Sequence, residues 1–129
     1  MNYKGVIIEE SLEKTDVLKD VIVISTKVEL VSKKHKTSWL KQWTLHAVEI
    51  SEDKTDIVAE RLSGDLEKEH YWYADYKNKK YHYIIYRGKI FKVDLQNPVF
   101  YKDAKRYGIS LGIPEYQVDF APEDKVWER

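Results

Sequence analysis

Tyr71 to Asp94 reads YWYADYKNKKYHYIIYRGKIFKVD and holds nearly half of the chain's aromatic residues. Its β-branched and aromatic runs are broken at Asn78-Lys79 and at Arg87-Gly88. Asn and Gly tolerate the positive φ angles of tight hairpin turns, so the stretch predicts three antiparallel strands joined by two-residue loops. Those loops pair Lys77 with Lys80 and Tyr86 with Lys89. Side chains alternate across a strand, which puts Trp72, Ala74, Tyr76, Tyr81, Tyr83, Ile85, Ile90 and Lys92 on one face. The other carries Tyr71, Tyr73, Asp75, His82, Ile84, Tyr86, Lys89, Phe91 and Val93. Neither face is polar as the water side of a half-buried sheet would be. Both therefore call for cover.

Outward from this meander, Gly5–Ser11 and Val21–Val31 are β-branched runs that predict strands, and Leu40–Ile50 predicts a third. In the second run Ile22, Ile24, Thr26, Val28 and Leu30 form the more apolar face. In the third, Trp43, Leu45 and Ala47 face away from Gln42, Thr44 and His46. Leu12–Asp20 is long enough for a single turn, capped by Thr15. Ser51 is the N-cap of a helix, with Glu52 and Asp53 complementing its dipole. Ile57, Val58, Leu62 and Leu66 make its apolar stripe, and Gly64 its stop. A second helix starts at Asn97-Pro98, carries Phe100, Ala104, Tyr107 and Leu111 at helical spacing, and ends at Gly112 before Pro114. Gly108 within it predicts a close approach to the sheet. Tyr116, Val118 and Phe120 alternate as a last extended segment. The expected fold is a two-layer α+β domain over residues 1–120: a mainly antiparallel, curved sheet of about six strands with both helices on one face. Residues 121–129 form a polar tail to which Trp127 belongs.

A chain of 129 residues can bury about two-thirds of its unfolded surface in one core. It contains no cysteine, which excludes disulfides, thiolate metal sites and cysteine nucleophiles, and fits a reducing compartment. No secretory signal and no membrane-length apolar run is read, so a cytoplasmic location is expected. Positive and negative charges balance over the whole chain but not along it. Eight acidic and three basic residues lie between Glu49 and Glu69, whereas six basic and no acidic residues lie between Lys77 and Lys92. A smaller basic cluster, Lys33 to Lys36, precedes Trp39.

GISLGIPEYQVDF, Gly108 to Phe120, together with YHYIIYRGKIFKVD, Tyr81 to Asp94, resembles small prokaryotic proteins of unassigned function. The resemblance implies a self-standing bacterial or archaeal domain. It brings no activity, cofactor or catalytic residue with it.

Motifs for catalysis are missing. There is no GxSxG elbow and no phosphate-binding glycine loop, and the neighbouring carboxylates Glu9-Glu10, Glu52-Asp53 and Glu123-Asp124 lie in charged surroundings. His35, His46, His70 and His82 have no metal-ligand spacing, so no metal and no cofactor is expected. Asp75 and His82 are the one catalytic candidate, placed directly opposite each other across the first hairpin. A carboxylate orients an imidazole as a general base requires, yet such pairs are also ordinary sheet stabilisers.

The leading expectation is a binding or protein-interaction module. It would use Trp72, Tyr81, Tyr83 and Tyr86 with Lys77, Lys80, Arg87 and Lys89, and its occupant would be a second subunit or another protein. Single-stranded nucleic acid stands second, because rings and cations together suit bases and phosphates. Neutral net charge and the lack of an RNP motif weigh against it. An enzyme or small-ligand site near Asp75 and His82 is the third reading, in a pocket lined by Trp43, Tyr73, His82 and Tyr107.

Overall fold

The computed structural model describes residues 1–30, 42–68, 72–97 and 99–113. The basic run Lys33 to Lys36, His70, Tyr71, Pro98, the extended segment from Tyr116 to Phe120 and the tail 121–129 lie outside them. Six strands and two helices follow in the order β1 (Tyr3–Ile8), β2 (Ile22–Leu30), β3 (Gln42–Ile50), α1 (Thr55–Asp65), β4 (Tyr73–Lys77), β5 (Tyr81–Tyr86), β6 (Lys89–Asp94) and α2 (Phe100–Ser110). They form an α+β fold around one open antiparallel sheet, ordered β2-β3-β1-β4-β5-β6.

β1 runs two residues earlier than its composition suggests and gives way to a 3-10 turn at Glu9–Ser11. It lies between β3 and β4, pairing Gly5 with Val48 on one side and Tyr76 on the other. Gly5 is required there by space. An added Cβ would fall 2.1 Å from the Asp75 carbonyl oxygen and 2.7 Å from the Cα and Cβ of Tyr76.

The second hairpin is as expected: Tyr86 pairs with Lys89, and Gly88 takes φ +72°. The first is not. Lys77 pairs with His82 instead of Lys80, so the turn holds four residues. Asn78 explains this, since its side-chain oxygen accepts the backbone N–H of both Lys80 and Tyr81 while its own N–H bonds the Tyr81 carbonyl. The shift is by two residues, so every meander side chain keeps its assigned face.

Those two faces are covered by different helices. Val58, Ala59 and Leu62 of α1 pack with Trp72, Ala74, Tyr76, Tyr83 and Ile85. Tyr101 and Ala104 of α2 pack with Tyr73, Ile84, Tyr86 and Val93. The helices therefore do not share one face of the sheet as expected. A meander with large rings on both sides leaves too much apolar surface wet unless each side receives a helix, because burying one such side chain is worth about 1.5–3 kcal/mol.

Helix boundaries follow their chemistry with local corrections. Ser51 directs its hydroxyl to the Asp53 carboxylate instead of capping a backbone N–H, and a 3-10 turn at Glu52–Lys54 leads into α1. Ile57 is exposed, while Val58, Leu62 and Leu66 are buried. Gly64 stays within α1, which runs on to Asp65. Thr15 precedes a 3-10 helix at Asp16–Asp20 without a side-chain cap. The end of α2 is the expected one. Gly112 takes φ +95°, Ile113 N–H bonds the Gly108 carbonyl at 3.1 Å and Gly112 N–H bonds that of Ile109 at 3.0 Å, a Schellman motif.

Candidate functional site

Asp75, His82 and Tyr101 form a connected polar chain beneath α2. His82 and Asp75 are not directly opposite, as the two-residue loop implied. They are diagonal neighbours on adjacent strands, with Nε2 to Oδ2 at 2.8 Å. On its other side Nδ1 lies 2.7 Å from the Tyr101 hydroxyl. All three residues are buried, Asp75 and His82 to within 2% and 3% exposure. An ionised Asp75 only accepts, which assigns the Nε2 proton to its bond and leaves Nδ1 to accept from Tyr101. Burial, and then the Asp75 charge, push the Tyr101 hydroxyl up to about 12. A tyrosine so held keeps its proton near neutrality and makes a poor nucleophile or base. With both imidazole nitrogens engaged, the chain's chemistry is that of a pin joining α2 to β4 and β5.

α1 is pinned in a parallel way on the other face. The Tyr76 hydroxyl donates to the Thr55 carbonyl at 2.6 Å, and that of Tyr83 donates to Asp56 Oδ1 at 2.6 Å. Tyr3, Tyr76 and Tyr83 meet ring to ring at 5.0–5.7 Å. Burial raises all three hydroxyl pKa values, that of Tyr3 to about 12.

The expected binding residues therefore separate. Trp72, Tyr83 and Tyr86 belong to the core, and Tyr86 donates to the Ala104 carbonyl of α2. Tyr81 is half-buried under the Lys92 ammonium, 4.4 Å from its ring centroid. Lys89 is exposed over Phe91, and Lys77 is half-buried at the end of β4. Arg87 is exposed, yet its guanidinium is engaged by the chain's own backbone, donating to the carbonyls of Gly64 at 3.1 Å and Leu66 at 2.5 Å. Lys80 and Tyr81 line a half-open cleft of about 220 Å³ with Lys79, Asp94 and Gln96.

The pocket expected from Trp43, Tyr73, His82 and Tyr107 does not assemble. Trp43 packs edge-on to Trp72 in the core under α1, whereas Tyr73 and Tyr107 belong to the core under α2. His46 bonds Thr26 and Glu9, far in sequence from His82. Among the described residues no cluster of His, Asp and Glu is arranged to hold a metal ion.

One surface leaves exposed the kind of apolar side chains that the meander mostly buries. Among the described residues β2 is an edge strand of nine residues, and only Glu29 along it is even half-buried. Ile24, Val28 and Leu30 are 56%, 54% and 78% exposed. A bulge between Val23 and Ser25 slips the ladder, so Val23 replaces Ile22 on the face of Thr26, Val28 and Leu30. Its composition revealed a strand, but nothing in that composition distinguished an outer strand from an inner one. The opposite edge, β6, is shorter and carries exposed Lys89 and Lys92, the usual protection against strand pairing.

Compared with known proteins, the chain matches no family model, no curated sequence and no solved structure. Among the described residues no helix is long and apolar enough to cross a membrane.

Proposed function

We propose that this chain is a cytoplasmic protein-interaction module that engages its partner by strand addition along β2. The observation that supports this is the row of exposed apolar side chains on an edge strand whose outer side has no paired strand among the described residues. Exposed edge backbone offers main-chain hydrogen bonds, and alternate side chains supply selectivity. The meander is a weaker candidate than its composition suggests, since its rings are engaged by α1 and α2. A single-stranded nucleic acid would need free ring faces to stack on, and Tyr83 and Tyr86 offer none. Catalysis at Asp75 and His82 lacks an open imidazole nitrogen.

The absence of cysteine makes a direct test simple. Ser25→Cys provides a unique attachment for a photo-cross-linker on β2, and Asp103→Cys provides a control on the exposed side of α2. In native extract the β2 probe should join to a protein chain, and Val28→Lys should remove that product while the near-ultraviolet circular dichroism stays unchanged. Identical products from both probes, or none from β2, would refute the proposal.

A further inference from the structure

We infer that the strand added to β2 is β2 of a second copy of this chain, running antiparallel about a two-fold axis through Val28. This rests on the interaction reading above and names its partner. A two-fold axis normal to a sheet keeps each side chain on its own face, so it can only centre on a residue. The bulge between Val23 and Ser25 breaks the regular ladder, and among the described residues Ser25 to Leu30 is the stretch that can pair without interruption.

Within that stretch the charges select the centre. An axis through Lys27 sets that lysine against its own copy, and an axis through Glu29 does the same with two carboxylates. An axis through Thr26 runs Val28 into the bulged Ile24. The axis through Val28 sets Lys27 opposite the partner's Glu29 and Glu29 opposite the partner's Lys27, two attractive pairs on one face. On the other face it stacks Val28 on its twin and covers Leu30 with the partner's Thr26, removing from water side chains that are otherwise more than half exposed. The two open sheets become one continuous sheet, and the unprotected edge disappears.

The experiment is sedimentation of the full chain and two single variants, alone and mixed. The wild type should run at twice the 15.4 kDa chain mass. Lys27→Glu and Glu29→Lys each set like charges opposite one another twice, and each should weaken self-association by roughly 10- to 100-fold. Mixed in equal amounts, the two variants should form a heterodimer, because all four facing charges then alternate in sign. Both positions lie on the outer strand, and circular dichroism should show each variant folded. A dimer that neither variant weakens, or two monomeric variants that stay apart on mixing, would overturn the inference. A wild-type monomer whose Ser25 cross-linker still captures a different chain would overturn self-pairing alone. A wild-type monomer without that cross-link would overturn the interaction reading as well.

Discussion

The hydroxyl of Tyr101 lies 2.7 Å from Nδ1 of His82, tying the first turn of α2 to the middle strand of the meander. Tyr101→Phe keeps the ring but leaves a buried nitrogen without that donor, a loss of about 1–3 kcal/mol. Urea unfolding should register it as a lower midpoint with an unchanged slope. The ¹⁵N signals of His82 should show the Nε2-protonated tautomer in the wild type, with the Nδ1 resonance moving in Tyr101→Phe.

Alkaline pH should unfold this protein through its tyrosines. Tyr3 and Tyr101 are raised by burial from an ordinary value of 10.0 to about 12. The unfolded chain therefore releases these protons first. Stability is fully present below pH 10 and is lost as pH rises towards 12. Phenolate absorbance from the buried set should rise above pH 10 together with loss of structure. A single smooth titration that leaves the circular dichroism intact would contradict this.

Two glycines should respond in opposite directions. Gly5→Ala forces a Cβ into the β4 backbone, which cannot swing aside as a side chain can, and should cost about 3 kcal/mol or more. Gly64→Ala meets nothing within 4 Å inside α1 and should add about 0.4–1 kcal/mol by restricting the unfolded chain. Thermal melts of the two variants would decide it.

Arg87 should behave as the terminal clamp of α1, not as a cation for an external anion. Its guanidinium holds the Gly64 and Leu66 carbonyls and lies 3.4 Å from the Glu13 carboxylate. Arg87→Ala should lower stability by about 1–2 kcal/mol, and Arg87→Lys should restore only part of it, since an ammonium lacks the planar fork. Amide exchange at the last turn of α1 should quicken in the alanine variant and not at the start of α2.

Much of the architecture was legible in particular residues. Gly88 and Gly112 marked a turn and a helix end because few other residues adopt their positive φ angles. The two faces of the meander are the same for a two-residue and a four-residue first turn, because the two registers differ by an even number of residues. Asp75 and His82 were recognisable as neighbours, yet Tyr101 was not: the expected stripe of α2 ran through Phe100 and Tyr107, and a helix can be rotated by one residue with little change in its apolar pattern. Of the aromatic residues expected to bind a partner, Trp72, Tyr83 and Tyr86 are core for the same reason they stand out in the sequence. Large rings are the most strongly driven from water.

The amino-acid sequence by itself determined the α+β class, the antiparallel meander and its two apolar faces, since periodicity and turn chemistry are local properties of the chain. Only the tertiary structure decided that α1 and α2 take opposite faces, that β1 inserts between β3 and β4, and that β2 lies at the edge of the described sheet. Those outcomes depend on which distant surfaces bury one another best. An edge strand and an inner strand can share one composition, and their difference lies in neighbours that the chain brings together only when it folds.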